Sequence, residues 1–393
     1  MHESILLEYP ISEYEERINK LLSHMEQDGF TAIILTSKEN TRYFCGLQSV
    51  SWKSKTAMPG VLIITSNGEI ILVGSASAMG TMNATSCVEN IYGFHLKKEN
   101  GEPNSLPLLI KDILRQRKCD IGKIGMELGP ACRMNMPVND FIELVNLCSN
   151  ATISDCSEII FSLRMIKSEN EKIFLRKSCE INYKSFEYAM NSISEGMTEY
   201  DLFRDTQREM LRLGADELFL FGVRAGKERY GQPNCVPSDR PIGRGEMILM
   251  DGGLIYKGFY SDIIRQAIIG KPNDFQKKYY DIAVMACEKA IEAVKPGNVI
   301  GEICENVNKY YSSLNLEEHF QKSCGHGIGL DIHERPKLNI DEKKRLEPGM
   351  AIAVEPSLYI PNIGMFGIEE NLLVTESGYE LLTKMTRELI VLE

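Results

Sequence analysis

At 393 residues, with 43% hydrophobic and 25% charged side chains, the chain has the composition of a soluble globular protein and the length of two domains. A net charge of −11 gives no support to nucleic-acid binding, which requires a basic patch. The 11 cysteines form no CxxC pair and are odd in number; their spacing gives neither a disulfide framework nor a zinc ribbon and points to reduced thiols in a cytoplasmic protein.

In chain order, Met1 to Pro10 carries Glu3 and Glu8 and no basic start before an apolar core, so no signal peptide is expected. No apolar run approaches the ~18 residues of a membrane span. Ser12-Glu13-Tyr14-Glu15 predicts a capping box opening a helix, with Ile18, Leu21, Leu22 and Met25 on its apolar face and Gly29 at its end. Residues 31–36 read as a buried strand, and residues 60–65 and 69–73 as a hairpin joined by Ser66-Asn67-Gly68. Helix, strand and helix follow over 110–117, 123–127 and 138–148. The alternation predicts an α/β domain over 1–155. This half carries no cluster of catalytic residue types: His24 and His95 stand alone, and Trp52, the single tryptophan, is expected to pack.

The short polar residues from Asn150 to Ser157 mark a boundary, and a second domain spans 156–393. A long helical pattern covers 158–194, and the charged segment from Lys167 to Lys172 within it reads as a solvated face. Thr198 caps another helix, reaching about Leu213. Residues 247–264 read as a β-hairpin. A turn centred on Tyr256-Lys257 would set Asp251 directly opposite Asp262, with Cβ atoms about 5 Å apart. Like charges so placed are destabilising without a cation, so the pair predicts a bridging metal. Helices over 274–294 and 301–314 precede a glycine-rich run with two histidines, Gly325-His326-Gly327-Ile328-Gly329-Leu330-Asp331-Ile332-His333-Glu334-Arg335-Pro336. Strands over 351–355 and 367–375, separated by a turn at Pro361-Asn362, carry Glu355 and the adjacent Glu369 and Glu370. Strand alternation lets only one of those two neighbours face inward, and spacing does not say which. Aspartates, glutamates and an imidazole make a hard ligand set suited to Mn, Fe, Co or Zn.

These residues resemble the creatinase/prolidase/aminopeptidase P group of pita-bread metallopeptidases. The likeness rests on Met250-Asp251-Gly252-Gly253, Gly258 to Arg265, Gly325 to Gly329, His333 to Pro336, Glu355-Pro356, Ile368 to Asn371 and Pro237 to Arg240, and more loosely on Asn40 to Gly46. It implies an α/β (α+β) fold: a creatinase-like N-terminal α/β domain and a C-terminal pita-bread domain with a curved antiparallel sheet. It implies two divalent ions, Mn²⁺ first and Co²⁺, Zn²⁺ or Fe²⁺ as alternatives. Asp251 would chelate one, Asp262 and Glu369 would bridge both, and His326 and Glu355 would complete the set. Glu355 would serve as general base and His333 would hydrogen-bond the substrate carbonyl as charge develops. The family further implies a homodimer.

Two departures fall around the substrate. Peptidases of the group carry a histidine where this chain has Asn234, and an arginine where it has Gly367. Asparagine donates a hydrogen bond but shuttles no proton. The expected activity is metal-dependent cleavage of an amide bond in a small substrate, an Xaa-Pro dipeptide first, with Asn234 among the substrate-binding residues. The alternatives are a hydrolase or lyase acting on a non-peptide molecule at the same metal site, and a non-catalytic binding protein on the same fold.

Overall fold

The computed structural model describes residues 1–54, 57–94, 105–227, 229, 230, 232, 235–361 and 363–393. Asn234, His95 and Asn362 therefore lie outside the described residues. The chain divides into two compact units, Met1–Arg164 and Met165–Glu393. The fold is mixed α/β, helices and strands alternating through both units.

The first unit is built on a six-stranded sheet. Strand Phe30–Leu35 pairs antiparallel with Val61–Thr65 and parallel with Gly122–Met126. All five residues of Val61–Thr65 are buried, as expected for a strand covered on both faces. One face packs Ala32, Ile34, Ile63 and Val73 against Ile110, Ile113 and Leu114 of helix Leu106–Gln116. The first helix, Ile11–Asp28, is entered from Pro10 with no side-chain cap, so Ser12 makes no capping box. Its end is as predicted, at Gly29 with φ 72°.

The second unit holds a four-stranded sheet and a five-stranded sheet. In the first, Met247–Tyr256 pairs antiparallel with both Glu217–Ala225 and Phe259–Ile269. The sheet is buried on both sides. Ile248, Met250 and Ile263 join one apolar cluster with Ile181, Phe186 and Met210, whereas Leu249 and Ile264 join another with Ala283, Ala286 and Cys287. Period-2 alternation thus feeds two cores, not a core and solvent. In the five-stranded sheet, Ser323–Gly327 lies between Glu334–Asn339 and Ala351–Val354, with Glu370–Thr375 beyond.

Two expectations fail for identifiable reasons. The hairpin turn is Lys257-Gly258, with φ 49° and 82°, and Tyr256 pairs with Phe259. Positive φ at both central residues is the geometry of a tight two-residue hairpin. Asp251 consequently faces Ile264, and Asp262 faces Gly253, so the two aspartates share a face diagonally and not directly. The helical pattern over 158–194 is also interrupted. It forms Ser157–Met165 and Glu169–Ser192, the second opened by a Ser168/Glu171 capping box. Lys167, in the break, is buried and not solvated.

Candidate metal centre

Two sheets of the second unit supply the centre. Asp251 and Asp262 come from the hairpin strands Met247–Tyr256 and Phe259–Ile269. His326 lies on Ser323–Gly327, Glu355 follows Ala351–Val354, and Glu369 precedes Glu370–Thr375. Glycine permits the close approach of backbones on which this depends. A Cβ at Gly253, opposite Asp262, would stand 1.5 Å from the Ser261 carbonyl oxygen. A Cβ at Gly325, where φ is 130°, would stand 2.0 Å from that of Ala353.

Asn371 and Arg265 tie the two sheets together at the ligand positions. Asn371 Oδ1 accepts from the Asp262 N–H at 3.3 Å, and its Nδ2 donates to the Asp262 carbonyl. Arg265 Nη1 donates to the Glu369 carbonyl at 2.8 Å, and its Nη2 to Glu370 Oε1 at 2.9 Å. Arg387 Nε also donates to Glu370, at 2.7 Å. Glu370 Oε1 is therefore held by two arginines, and Glu369 is the neighbour that faces the acidic cluster.

Asp262, His326 and Glu369 offer ligand atoms within 4.8 Å of one another, the one such group among the described residues. They are 8%, 7% and 1% exposed. Asp262 Oδ1 and both Glu369 carboxylate oxygens are buried without a hydrogen-bond partner. His326 Nε2 is 3.5 Å from Glu355 Oε1 and 4.0 Å from Glu369 Oε1. Its Nδ1 lies 3.0 Å from the Gly327 carbonyl oxygen, which can only accept, so Nδ1 carries the proton and Nε2 presents a lone pair to the carboxylates. Glu355 and Asp251 are partly open, with side chains 31% and 28% exposed. His333 is exposed, its ring centroid 4.2 Å from that of His326.

The electrostatics describe a site short of positive charge. Burial first, and then Asp251 and Glu355, push the Asp262 carboxyl far above its usual range. Burial and the charges of Asp262, Glu355 and Asp251 do the same to Glu369, against the pull of Arg265. Burial and Asp251 push Glu355 up to about 8. Burial, then His333, hold His326 down to about 4, neutral at pH 7. A buried carboxylate with orphaned oxygens costs several kcal/mol unless a cation compensates it. The donor set of carboxylate oxygens and one neutral imidazole fits a divalent ion of the Mn–Zn series, and thiolates play no part in it.

Three residues near the centre escape a reading of the chain in one dimension. Arg224, on the unpredicted strand Glu217–Ala225, donates from Nη2 to Asp251 Oδ2 at 2.7 Å. A lone arginine in an otherwise apolar stretch is the signal that was there to find. Lys167 Nζ bonds Glu334 Oε2 at 2.8 Å, with both side chains nearly fully buried. Glu334 Oε1 accepts from the Asp331 N–H at 3.1 Å, so this pair braces the loop that carries His333.

A two-sheet α/β unit that brings together a buried imidazole–carboxylate cluster is the arrangement of a metal-dependent hydrolase of the pita-bread class. Residues 174–376 match metallopeptidase family M24, and residues 17–166 match the creatinase/prolidase N-terminal domain. A Xaa-Pro dipeptidase of Pyrococcus furiosus is 30% identical over 383 residues, covering 96% of this chain and 100% of that one. The solved Xaa-Pro dipeptidase from Bacillus anthracis superposes with a TM-score of 0.84 at 28% identity, over 96% of this chain and 100% of its own. The prolidase from Pyrococcus horikoshii OT3 does so at 0.82 and 28%, over 95% and 100%. The chain belongs to metallopeptidase family M24, and it is a metal-dependent peptidase.

Proposed function

We propose that this enzyme hydrolyses the amide bond of a small substrate with water activated by two divalent ions, and that dipeptides with C-terminal proline are its first substrate class. The trio of Asp262, His326 and Glu369, with buried oxygens that have no hydrogen-bond partner among the described residues, carries the reading. The names of the Pyrococcus furiosus and Bacillus anthracis relatives support the substrate class.

In this reading Asp251, Asp262, His326, Glu355 and Glu369 hold the ions, with Mn²⁺ first and Co²⁺, Zn²⁺ or Fe²⁺ as alternatives. The ions supply Lewis acidity toward water and toward the scissile carbonyl at neutral pH. Glu355, on the open side of the cluster, takes the proton of the attacking water and returns it to the leaving nitrogen. His333, exposed beside His326, donates an N–H to the carbonyl oxygen as negative charge develops there. His326 stays neutral and keeps its Nε2 lone pair aimed at the cluster, because Gly327 holds the proton on Nδ1. Asn234 contributes to substrate binding. The enzyme acts as a cytoplasmic homodimer; among the described residues no helix is long and apolar enough to cross a membrane.

A second reading, a non-peptide amide as substrate, is favoured by Gly367. A Cβ there would stand 2.6 Å from Ser357 Oγ, so that hydroxyl occupies the space where the group's arginine would begin. Metal analysis followed by a panel of Xaa-Pro dipeptides, other dipeptides and simple amides with added Mn²⁺ separates the two. Metal-dependent release of proline is the expected result. Metal uptake with turnover of other amides alone would transfer the assignment to the second reading, and absence of metal uptake would overturn both.

A further inference from the structure

Away from the metal centre, a cavity of about 890 Å³ opens on the second unit between helix Asp274–Glu292 and the residues that follow strand Gly378–Leu381. That size is typical of a small-molecule site. Part of its wall is apolar and open, with Met285 38% and Val391 53% exposed. Arg387 also lines it. The Arg387 Nε donates to the buried Glu370 Oε1 at 2.7 Å, and neither Nη atom has a hydrogen-bond partner among the described residues. Arg265 donates to the same Glu370 oxygen, so two guanidiniums share one carboxylate and one positive charge is left over. On the facing helix, Glu288 lines the cavity and its charge is felt at Arg387. The other charged groups of the lining offset one another: Lys277 pairs with Asp281 at 2.8 Å, and Lys384 and Glu388 are exposed and opposite in sign.

We propose that this cavity binds an apolar dipeptide without cleaving it. The C-terminal carboxylate takes the two open Nη donors of Arg387, a planar pair that suits a carboxylate. The N-terminal ammonium faces Glu288, and the apolar side chains cover the wall at Met285 and Val391. The volume suits two residues better than one. The occupant stays intact because the one group of metal-ligating side chains among the described residues is the trio of Asp262, His326 and Glu369, and none of the three lines this cavity.

The test is calorimetric titration of the Mn²⁺-loaded enzyme with leucyl-leucine whose amide N–H is replaced by CH₂, a probe with no bond to cleave. Wild type, Met285→Trp, Arg387→Gln and Glu288→Gln are compared, with circular dichroism and thermal unfolding to establish that each is folded. Met285 is at the surface, so tryptophan there obstructs the cavity without entering the core. The wild type is expected to show a binding event that Met285→Trp abolishes. Arg387→Gln should weaken that event by roughly tenfold to a hundredfold, as for loss of a hydrogen bond to a charged group. Glu288→Gln should weaken it by about twofold to fivefold, as for an exposed ion pair. The C-terminal amide of the probe should bind the wild type as poorly as the acid binds Arg387→Gln, a comparison that needs no folded variant. Binding that Met285→Trp leaves unchanged, or acid and amide probes of equal affinity, would overturn the proposal. Absence of a further event at the metal centre, with the cavity event present, would count against the dipeptidase reading and leave this site standing.

Discussion

Asn371 grips Asp262 by its backbone and not by its carboxylate, accepting from the N–H at 3.3 Å and donating to the carbonyl. The carboxylate is thereby oriented without losing an oxygen to a neighbour, and Oδ1 stays unpartnered. Asn371→Ala leaves two buried peptide groups unpaired, each costing about 1–3 kcal/mol. Urea unfolding should show a loss of that order, and the metal content of the purified variant should fall with it. A variant of wild-type stability would show that water replaces the clamp.

Metal removal should destabilise the protein in a pH-dependent way. Glu355 is pushed up to about 8 in the ion-free fold, well above the ~4.3 of an unfolded glutamate. A carboxyl raised on folding favours the native state below its unfolded pKa, and that contribution is lost as pH rises through the folded value. Asp262 and Glu369 shift in the same direction. The ion-free protein should therefore weaken as pH rises from about 5 toward 9. Added Mn²⁺ should raise Tm by an amount that grows over the same range, because metal competes with protons for the same oxygens. Differential scanning calorimetry with and without chelator checks this, and a Tm gain that shrinks with pH would contradict it.

The Lys167–Glu334 pair is buried on both sides. Lys167→Met strands the Glu334 carboxylate and should cost about 3–5 kcal/mol in chemical denaturation. Pairing it with Glu334→Gln removes the stranded charge and should recover much of the loss. If the single and double variants unfold alike, the pair contributes nothing as a pair.

Asp262→Ala and His333→Ala should separate binding from chemistry. The first removes a carboxylate from the buried trio, so metal and activity should be lost together. The second removes a group that stacks edge-on against His326 but lies outside the trio. Metal content should hold, and kcat should fall by roughly a hundredfold to a thousandfold, as for loss of one oxyanion donor. Plasma emission analysis beside steady-state kinetics on the same preparations distinguishes the two patterns.

The acidic and imidazole residues of the cluster were legible along the chain because they sit in short, local, glycine-rich motifs. Asp251, Asp262, His326, Glu355 and Glu369 stand out by kind and by glycine-rich setting, and the turn and helix-stop signals placed most elements. What spacing left open, contact resolved. Glu369 and Glu370 are equivalent as letters, and only the arrival of Arg265 and Arg387 at Glu370 assigns them different surroundings. Lys167 reads as solvated because charge on a helix usually is, yet a partner 167 positions away draws it inside.

The sequence by itself determined the α/β order of elements and the family, since each depends on local propensity or on a short motif. The tertiary structure alone decided the hairpin register, which set Asp262 against Gly253, and the meeting of Arg224 with Asp251. Both follow from pairing across the sheet. A change of one residue in the turn shifts that pairing and alters which side chains meet, so no one-dimensional spacing rule contains it.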